Sequence, residues 1–349
     1  MRILVVGGTG LISSAFSAHC LARGDDLTLI TRGTSTTSPV PRGAKAIHVD
    51  ATDAAALRSA LHGPRLRGER WDAVIQFVAF TPAHVSADVE TFAPLTDRYV
   101  LISSASAYRS FDHFVALTED TELRNPFWGY SRDKIACEAA LIRHAVTTGL
   151  PYTIVRPSHT YGASKIPAFT GNSRHPWTII DRMRRGKDIV IPGDGTALWT
   201  VTHASDVAAG MRGLLDTKRS LGLEVHITSD VALTWTGLYS TIARAAGLSP
   251  EQFASQVVYV PSEALIAAAP TQEGSIRGDK MHSAVFDNSL IKDLVPGWEA
   301  KVPFARGIEE SIAAFEAHPE WRLVDDEANA MFDRLAAIYR AALSSAAMG

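Results

Sequence analysis

Tyr130-Ser131-Arg132-Asp133-Lys134 sets a phenol and an ammonium four residues apart. On a helix that spacing puts both side chains on one face. The pair suits proton transfer at a carbon–oxygen bond. A free tyrosine ionises near pH 10 and is a poor base at neutral pH. A neighbouring ammonium, together with the positive ring of an oxidised nicotinamide, favours the phenolate and lowers that value. Such a tyrosine takes a proton from a hydroxyl, or gives one to a forming alkoxide, as hydride moves at the same carbon. Ser104 follows the apolar run Tyr99–Ile102 and is placed to donate to the same oxygen. Ser104, Tyr130 and Lys134 are therefore the expected catalytic residues, with Lys134 also holding a ribose.

A second signal lies at the N-terminus. Gly7-Gly8-Thr9-Gly10-Leu11-Ile12-Ser13 follows the apolar run Ile3–Val6 and opens a helical stretch. The first glycine permits a tight turn, and Gly10 lets the backbone approach a pyrophosphate. Free N–H groups and the positive end of the helix dipole lie just beyond. Ser13 stands where the usual pattern has a third glycine, and it is still small. Gly7, Thr9, Gly10, Leu11 and Ile12 are thus expected at a dinucleotide. The next strand ends Ile30-Thr31-Arg32-Gly33. An NAD site usually places a carboxylate there, whereas a guanidinium suits a 2′-phosphate. Arg32 therefore points to NADP, with NAD as the alternative. Asp50, after the third strand, is placed to accept from the adenine amine.

These residues need a scaffold, and the first half of the chain supplies its pattern. Short apolar runs at Ile3–Val6, Leu27–Ile30, Ala46–Val49, Ala73–Val78, Tyr99–Ile102 and Tyr152–Val155 alternate with helical stretches. Helices are expected at Leu11–Ala22, Asp53–Leu61, Ala87–Phe92 and Ser131–Thr147. The last is stopped by Gly149-Leu150-Pro151. Strand and helix in alternation imply a Rossmann-type, doubly wound parallel sheet with helices on both faces. After Arg156 the pattern loosens. A strand at Val201–His203, a helix at Ser205–Leu215 and a strand at Val225–Thr228 return to the sheet style. The expected organisation is a dinucleotide-binding unit, residues 1–156 with about 201–229. A smaller, mostly helical substrate lobe takes 157–200 with 230–349. The basic cluster Arg182, Arg184, Arg185 and Lys187 reads as a solvated helix end. The final helix, with Phe332, Leu335 and Ile338, reads as packing on the lobe.

Composition narrows the class. The chain has 349 residues, 46% hydrophobic, with 34 basic and 37 acidic side chains and a net charge of −3. That balance gives no footprint for nucleic acid or an anionic membrane. The 2 cysteines, Cys20 and Cys137, offer neither a disulfide framework nor metal-ligand spacing, so no metal is expected. Without a signal-like segment or a run of about 18 apolar residues, a cytoplasmic location is expected.

With these motifs in place, the sequence resembles the short-chain dehydrogenase/reductase superfamily in its extended, epimerase/dehydratase-like form. The resemblance covers roughly residues 1–320. Besides the segments above, it rests on Ser103-Ser104-Ala105-Ser106-Ala107-Tyr108, Val155-Arg156-Pro157-Ser158-His159, Pro192-Gly193-Asp194-Gly195 and Pro296-Gly297-Trp298. It implies that Val78 and Ala79 line the nicotinamide ribose, and that Pro157, Ser158 and His159 meet the carboxamide end. It also prefers Ser104 over Ser103, four residues before Tyr108. Departures are informative. Nucleotide-sugar members carry a diphosphate-gripping arginine where this chain has Trp199, which favours an apolar or aromatic substrate. Ala105-Ser106 replaces the acidic pair of the dehydratases, and the asparagine of the catalytic tetrad has no counterpart. Ser106, His159, Trp177 and Trp199 are the expected substrate contacts.

The reading that follows is an NADPH-dependent reductase of a ketone on a sugar-like or natural-product molecule. Its partner is a small carbonyl or hydroxyl compound, with the oligomeric state open. One alternative is an NAD(P)-dependent epimerase of a sugar or sugar nucleotide. The other, from a different class, is a non-catalytic NADP-sensing or RNA-binding relative.

Overall fold

A strand with neighbours on both sides and helices above and below is apolar throughout, and Ile3–Val6 is wholly buried for this reason. The computed structural model describes residues 1–35, 38–61, 70–112, 115–169 and 174–348. Its strands are β1 (Arg2–Val6), β2 (Asp26–Thr31), β3 (Lys45–His48), β4 (Ala73–Gln76), β5 (Tyr99–Ile102) and β6 (Tyr152–Pro157). They continue with β7 (His159–Tyr161), β8 (Ile189–Pro192), β9 (Leu198–His203), β10 (Leu223–Ile227), β11 (Ala232–Thr234) and β12 (Val257–Val260). The helices that bear on the site are α1 (Leu11–Ala22), α2 (Ala54–Leu61), α3 (Pro82–Phe92), α4 (Gly129–Thr148), α5 (Trp177–Arg184) and α6 (Ala204–Leu215).

Among the described residues the central sheet has seven parallel strands in the order β10-β6-β5-β4-β1-β2-β3. The order reverses between β1 and β4. A crevice must open there at the carboxyl edge, where successive connections leave to opposite faces. One face is covered by α1 and α6 through Phe16 and Met211. The other is covered by α3 and α4 through Phe92 and Leu141. A separate core holds Trp177, Trp235, Phe315 and Phe332. It lies beside a three-stranded sheet, β11-β9-β7, and a β12–β8 pair.

Three details differ from expectation. The strand expected at Val201–His203 starts at Leu198 and lies outside the central sheet, paired with β7 and β11. Pro157 lacks the N–H that would continue the β6 ladder, so the chain peels away after it as β7 and offers β9 an edge. Helix α3 begins at Pro82, not Ala87. Thr81 caps it by accepting from the His84 N–H, and Pro82 fills the first helical position. Finally, Arg182 is not solvated. It is fully buried and donates to Asn329 Oδ1 (2.8 Å) and Asp333 Oδ1 (2.7 Å) of the C-terminal helix Asp326–Met348. That helix packs through Phe332 and Leu335, while Ile338 is exposed. No helix among the described residues is long and apolar enough to cross a membrane.

Candidate active site

The crevice is a continuous cleft of about 1410 Å³, larger than the roughly 300–1,000 Å³ of a single small-ligand pocket. It has room for an extended cofactor and a second molecule. At one end the β1–α1 turn sets its floor. Gly7 has φ +82°, and a Cβ there would lie 2.5 Å from Val78 Cγ1, so only glycine fits. Ser13, in the place of the third glycine, is buried and ties the turn together. Its hydroxyl donates to Gly7 O (2.8 Å) and accepts from the Gly10 N–H (2.8 Å). Helix α1 has no acidic residue in its first turn, so its positive end is not neutralised from within. Thr9, Gly10, Leu11 and Ile12 all line the cleft.

Arg32 is exposed at the end of β2 and lines the cleft with Thr34 and Ser35. Asp50 lines the same end. Thr52 donates to its Oδ1 through N–H (2.9 Å) and hydroxyl (2.8 Å), which holds the carboxyl below its ordinary range. The cap of α2 falls instead to Asp53, whose Oδ1 accepts from Ala55 and Ala56. A positive-φ glycine cradle, an open helix N-terminus, a guanidinium and a fixed carboxylate fit an adenine dinucleotide in chemistry.

Deeper in, β5 and α4 bring Ser104, Tyr130 and Lys134 to the cleft. Ser103 continues the sheet through its N–H to Val155 O (2.8 Å) and is buried. Ser104 is the half-exposed one beside Tyr130. Ser104 Oγ accepts from the Ser106 N–H (3.2 Å) and lies 2.9 Å from Ser106 Oγ. Buried Ser131 donates in turn to Ser106 Oγ (2.8 Å). Ser106 Oγ thus sits between Ser131 and Ser104 and orients the Ser104 hydroxyl beside Tyr130 at the cleft. Ser106, expected to touch substrate, acts at least as much on Ser104. Replacing it by alanine should lower kcat about tenfold, the worth of one orienting hydrogen bond, with cofactor affinity unchanged in a binding titration.

Tyr130, 37% exposed in the first turn of α4, faces the cleft beside Trp128, whose ring is 5.0 Å away. Burial pushes its phenol above the ordinary value, against a lowering hydrogen bond from Ser104. The expected depression by Lys134 is absent here. Lys134 Nζ sits 5.9 Å from the Tyr130 ring centre and donates to Ala79 O (3.0 Å) and Ile102 O (2.9 Å). A third N–H remains for a ribose hydroxyl. Burial pushes the Lys134 ammonium down to about 8.

The other expected contacts divide. Val78, Pro157, Ser158 and His159 line the cleft. Ala79 does not: its side chain is buried and its carbonyl is what Lys134 holds. Phe80 takes the wall position, with Lys134 Nζ 4.8 Å from its ring centre. Trp199 lines the cleft, stacked on His159 at 3.6 Å. Trp177 lies in the lobe core, stacked on Phe315 at 5.6 Å, because the polar side of α5 is the one turned outward; Pro176 reaches the cleft in its stead.

Four residues escaped sequence reasoning. Asn125, buried, donates through Nδ2 to Ser106 O (2.9 Å) and Gly278 O (2.7 Å), which ties the serine corner to the π-turn Ile276–Lys280. Its Asn-Pro sequence ahead of a helix marked a turn but not this role. The π-turn supplies Asp279 and Lys280, and a tight turn after β7 supplies Lys165. Asp279 Oδ2 accepts from His159 Nε2–H (2.9 Å); against its burial, the pairing with His159 and Lys280 pushes Asp279 down to about 2, while burial lowers the His159 imidazole.

A dinucleotide cradle at the sheet reversal, with serine, tyrosine and lysine converging beyond it, defines the extended short-chain dehydrogenase/reductase class. The chain belongs to the NAD dependent epimerase/dehydratase family, whose model matches residues 3–226. It is 27% identical over 307 residues to 2′-dehydrokanamycin reductase of Streptomyces kanamyceticus, covering 86% of this chain and 81% of that one. It is 25% identical to the chloroplast stem-loop binding protein of 41 kDa b of Arabidopsis thaliana, over 75% of this chain and 67% of that one. Among solved structures, dTDP-glucose 4,6-dehydratase from Bacillus anthracis in complex with NAD shares the fold. Its TM-score is 0.71 at 19% identity, covering 92% of this chain and 98% of that one.

Proposed function

We propose that this protein is an NADPH-dependent ketone reductase acting on a sugar-like or natural-product molecule. Residues 1–156 with about 201–229 would hold the cofactor, and the remainder would form the substrate lobe. The observation that carries the reading is the Ser104 hydroxyl hydrogen-bonded beside the Tyr130 phenol, with the Lys134 ammonium one helical turn on. The bound dinucleotide supplies the hydride. Ser104 donates a hydrogen bond to the substrate carbonyl oxygen and polarises it. Tyr130 then gives its proton to that oxygen as negative charge develops. Lys134 orients the ribose with its remaining N–H, and the Phe80 and Trp199 rings exclude water. A reductase among the relatives supports this direction. Trp199 in place of a phosphate-gripping arginine weighs against a nucleotide sugar.

The cofactor tests the reading first. The purified protein is denatured to identify what it releases, and the empty site is titrated with NADPH and NADH. A preference for NADPH of tenfold or more, about 1.4 kcal/mol, is expected. Arg32→Ala should erase it by weakening NADPH alone. Retained, non-exchanging NAD⁺ would instead support an epimerase, which regenerates its cofactor within each cycle. Cofactor binding without turnover on any carbonyl panel would favour the non-catalytic reading.

A further inference from the structure

The substrate half of the cleft carries an imbalance of charge. Lys165 and Lys280 line it against the carboxylate of Asp279, with no other acid among the described lining residues there. Asp279 is already engaged, accepting from His159 at 2.9 Å and facing Lys280 Nζ at 3.7 Å. Lys165 Nζ has no hydrogen bond or ion pair among the described residues. Its backbone is nevertheless fixed. Lys165 N–H donates to Gly162 O (3.0 Å), the same carbonyl that buried Ser311 holds at 2.9 Å. Lys280 is equally placed, its Nζ 5.3 Å from the Trp128 ring centre and 6.0 Å from that of Trp199. It belongs to a π-turn, a backbone irregularity that recurs at functional sites.

Lys165 is exposed on the cleft wall and Lys280 is half-buried, so two ammonium groups face one cleft and repel. Burial lowers Lys280 below its ordinary value, against the raising pull of Asp279. A pair of cations with one counter-ion, already engaged by His159, leaves an anion's place unfilled. We propose that the substrate carries an anionic oxygen group, a carboxylate or a phosphate, held by Lys165 and Lys280 while its carbonyl reaches Ser104 and Tyr130. The inference rests on the ketone-reductase reading and adds the substrate's charge to it. The aromatic walls contributed by Trp128 and Trp199 suit a ring bearing that group. A cationic amino sugar would meet like charge.

Calorimetry on the NADPH-loaded protein tests this with small ketones. The carboxylate arm is 4-oxocyclohexanecarboxylate against its methyl ester, and the phosphate arm is dihydroxyacetone phosphate against dihydroxyacetone. 4-Aminocyclohexanone serves as the cationic probe. One anionic ketone should bind about tenfold or more tighter than its neutral partner, and the arm that does so identifies the group. Lys165→Met should erase that margin and Lys165→Arg restore it, with NADPH affinity and Tm unchanged. Equal or tighter binding of the neutral or cationic ketones, no binding of either anion, or a margin that survives Lys165→Met would overturn the proposal. Reduction of neutral ketones without any anion preference overturns the pocket and leaves the reductase standing. A Lys165-dependent margin with no reduction supports the pocket and removes the reductase.

Discussion

Tyr130→Phe should bind NADPH like the parent and reduce its ketone about 10²–10⁴-fold more slowly, the usual worth of a positioned proton donor. The ring remains, so its contact with Trp128 and the packing of α4 persist. Only the proton is lost. The loss should fall on kcat, because the phenol matters most as charge develops on the carbonyl oxygen. The pH profile adds a second readout. Burial raises Tyr130 above its ordinary value near 10, so the proton donor is intact throughout the neutral range. Lys134, pushed down to about 8, loses its charge as pH rises through that value. Reduction should therefore weaken above about pH 8, in step with Lys134 and ahead of Tyr130. A Tyr130→Phe protein with more than a tenth of parental kcat would show that the proton comes from elsewhere.

The placement of Ser104, Tyr130 and Lys134 in one cleft was legible because its signals are local. Two residues four apart on one helix and a serine at a strand end fix their own geometry. The cradle was legible for the same reason: a positive φ at Gly7 is a property of the turn itself. Asn125, Lys165, Asp279 and Lys280 were not, since each acquires meaning only when distant segments meet. Asn125 and Gly278 are 153 positions apart, and His159 and Asp279 are 120 apart. No period or motif encodes such a pairing. Trp177 and Arg182 failed differently. Composition predicts average exposure by residue type, but the C-terminal helix docks on Arg182 and Phe315 stacks on Trp177. The aim of Lys134 was not legible either: it points at two carbonyls, and sequence spacing places a side chain on a face without aiming its terminal atom.

Glu138→Gln should cost about 3–5 kcal/mol of stability, the penalty for leaving a buried guanidinium without its counter-charge. Arg156 on β6 and Glu138 on α4 are 3% and 2% exposed, and Arg156 Nη2 donates to Glu138 Oε2 at 2.6 Å. Arg156 Nη1 also donates to Tyr108 Oη (3.0 Å), Tyr108 Oη–H to His226 Nδ1 (3.2 Å), and His226 Nε2–H to Asp287 O (2.8 Å). One chain of hydrogen bonds thus fastens α4 to β6, the serine corner and β10, and Tyr130 and Lys134 are placed by it. It works only while His226 is neutral, and burial pushes His226 down to about 4 from an ordinary 6.5. The unfolded chain binds that proton more readily, so the stability due to neutral His226 is complete above about pH 6.5. It is lost as pH falls toward 4, and on this shift amounts to roughly 3 kcal/mol. Denaturant titrations of parent and Glu138→Gln at pH 7.5 and pH 5 measure both effects. His226→Gln, which cannot charge, should flatten the acid limb. A parent whose stability is unchanged between those two pH values would show that His226 is not buried as a neutral link, and that α4 is anchored by the ion pair alone.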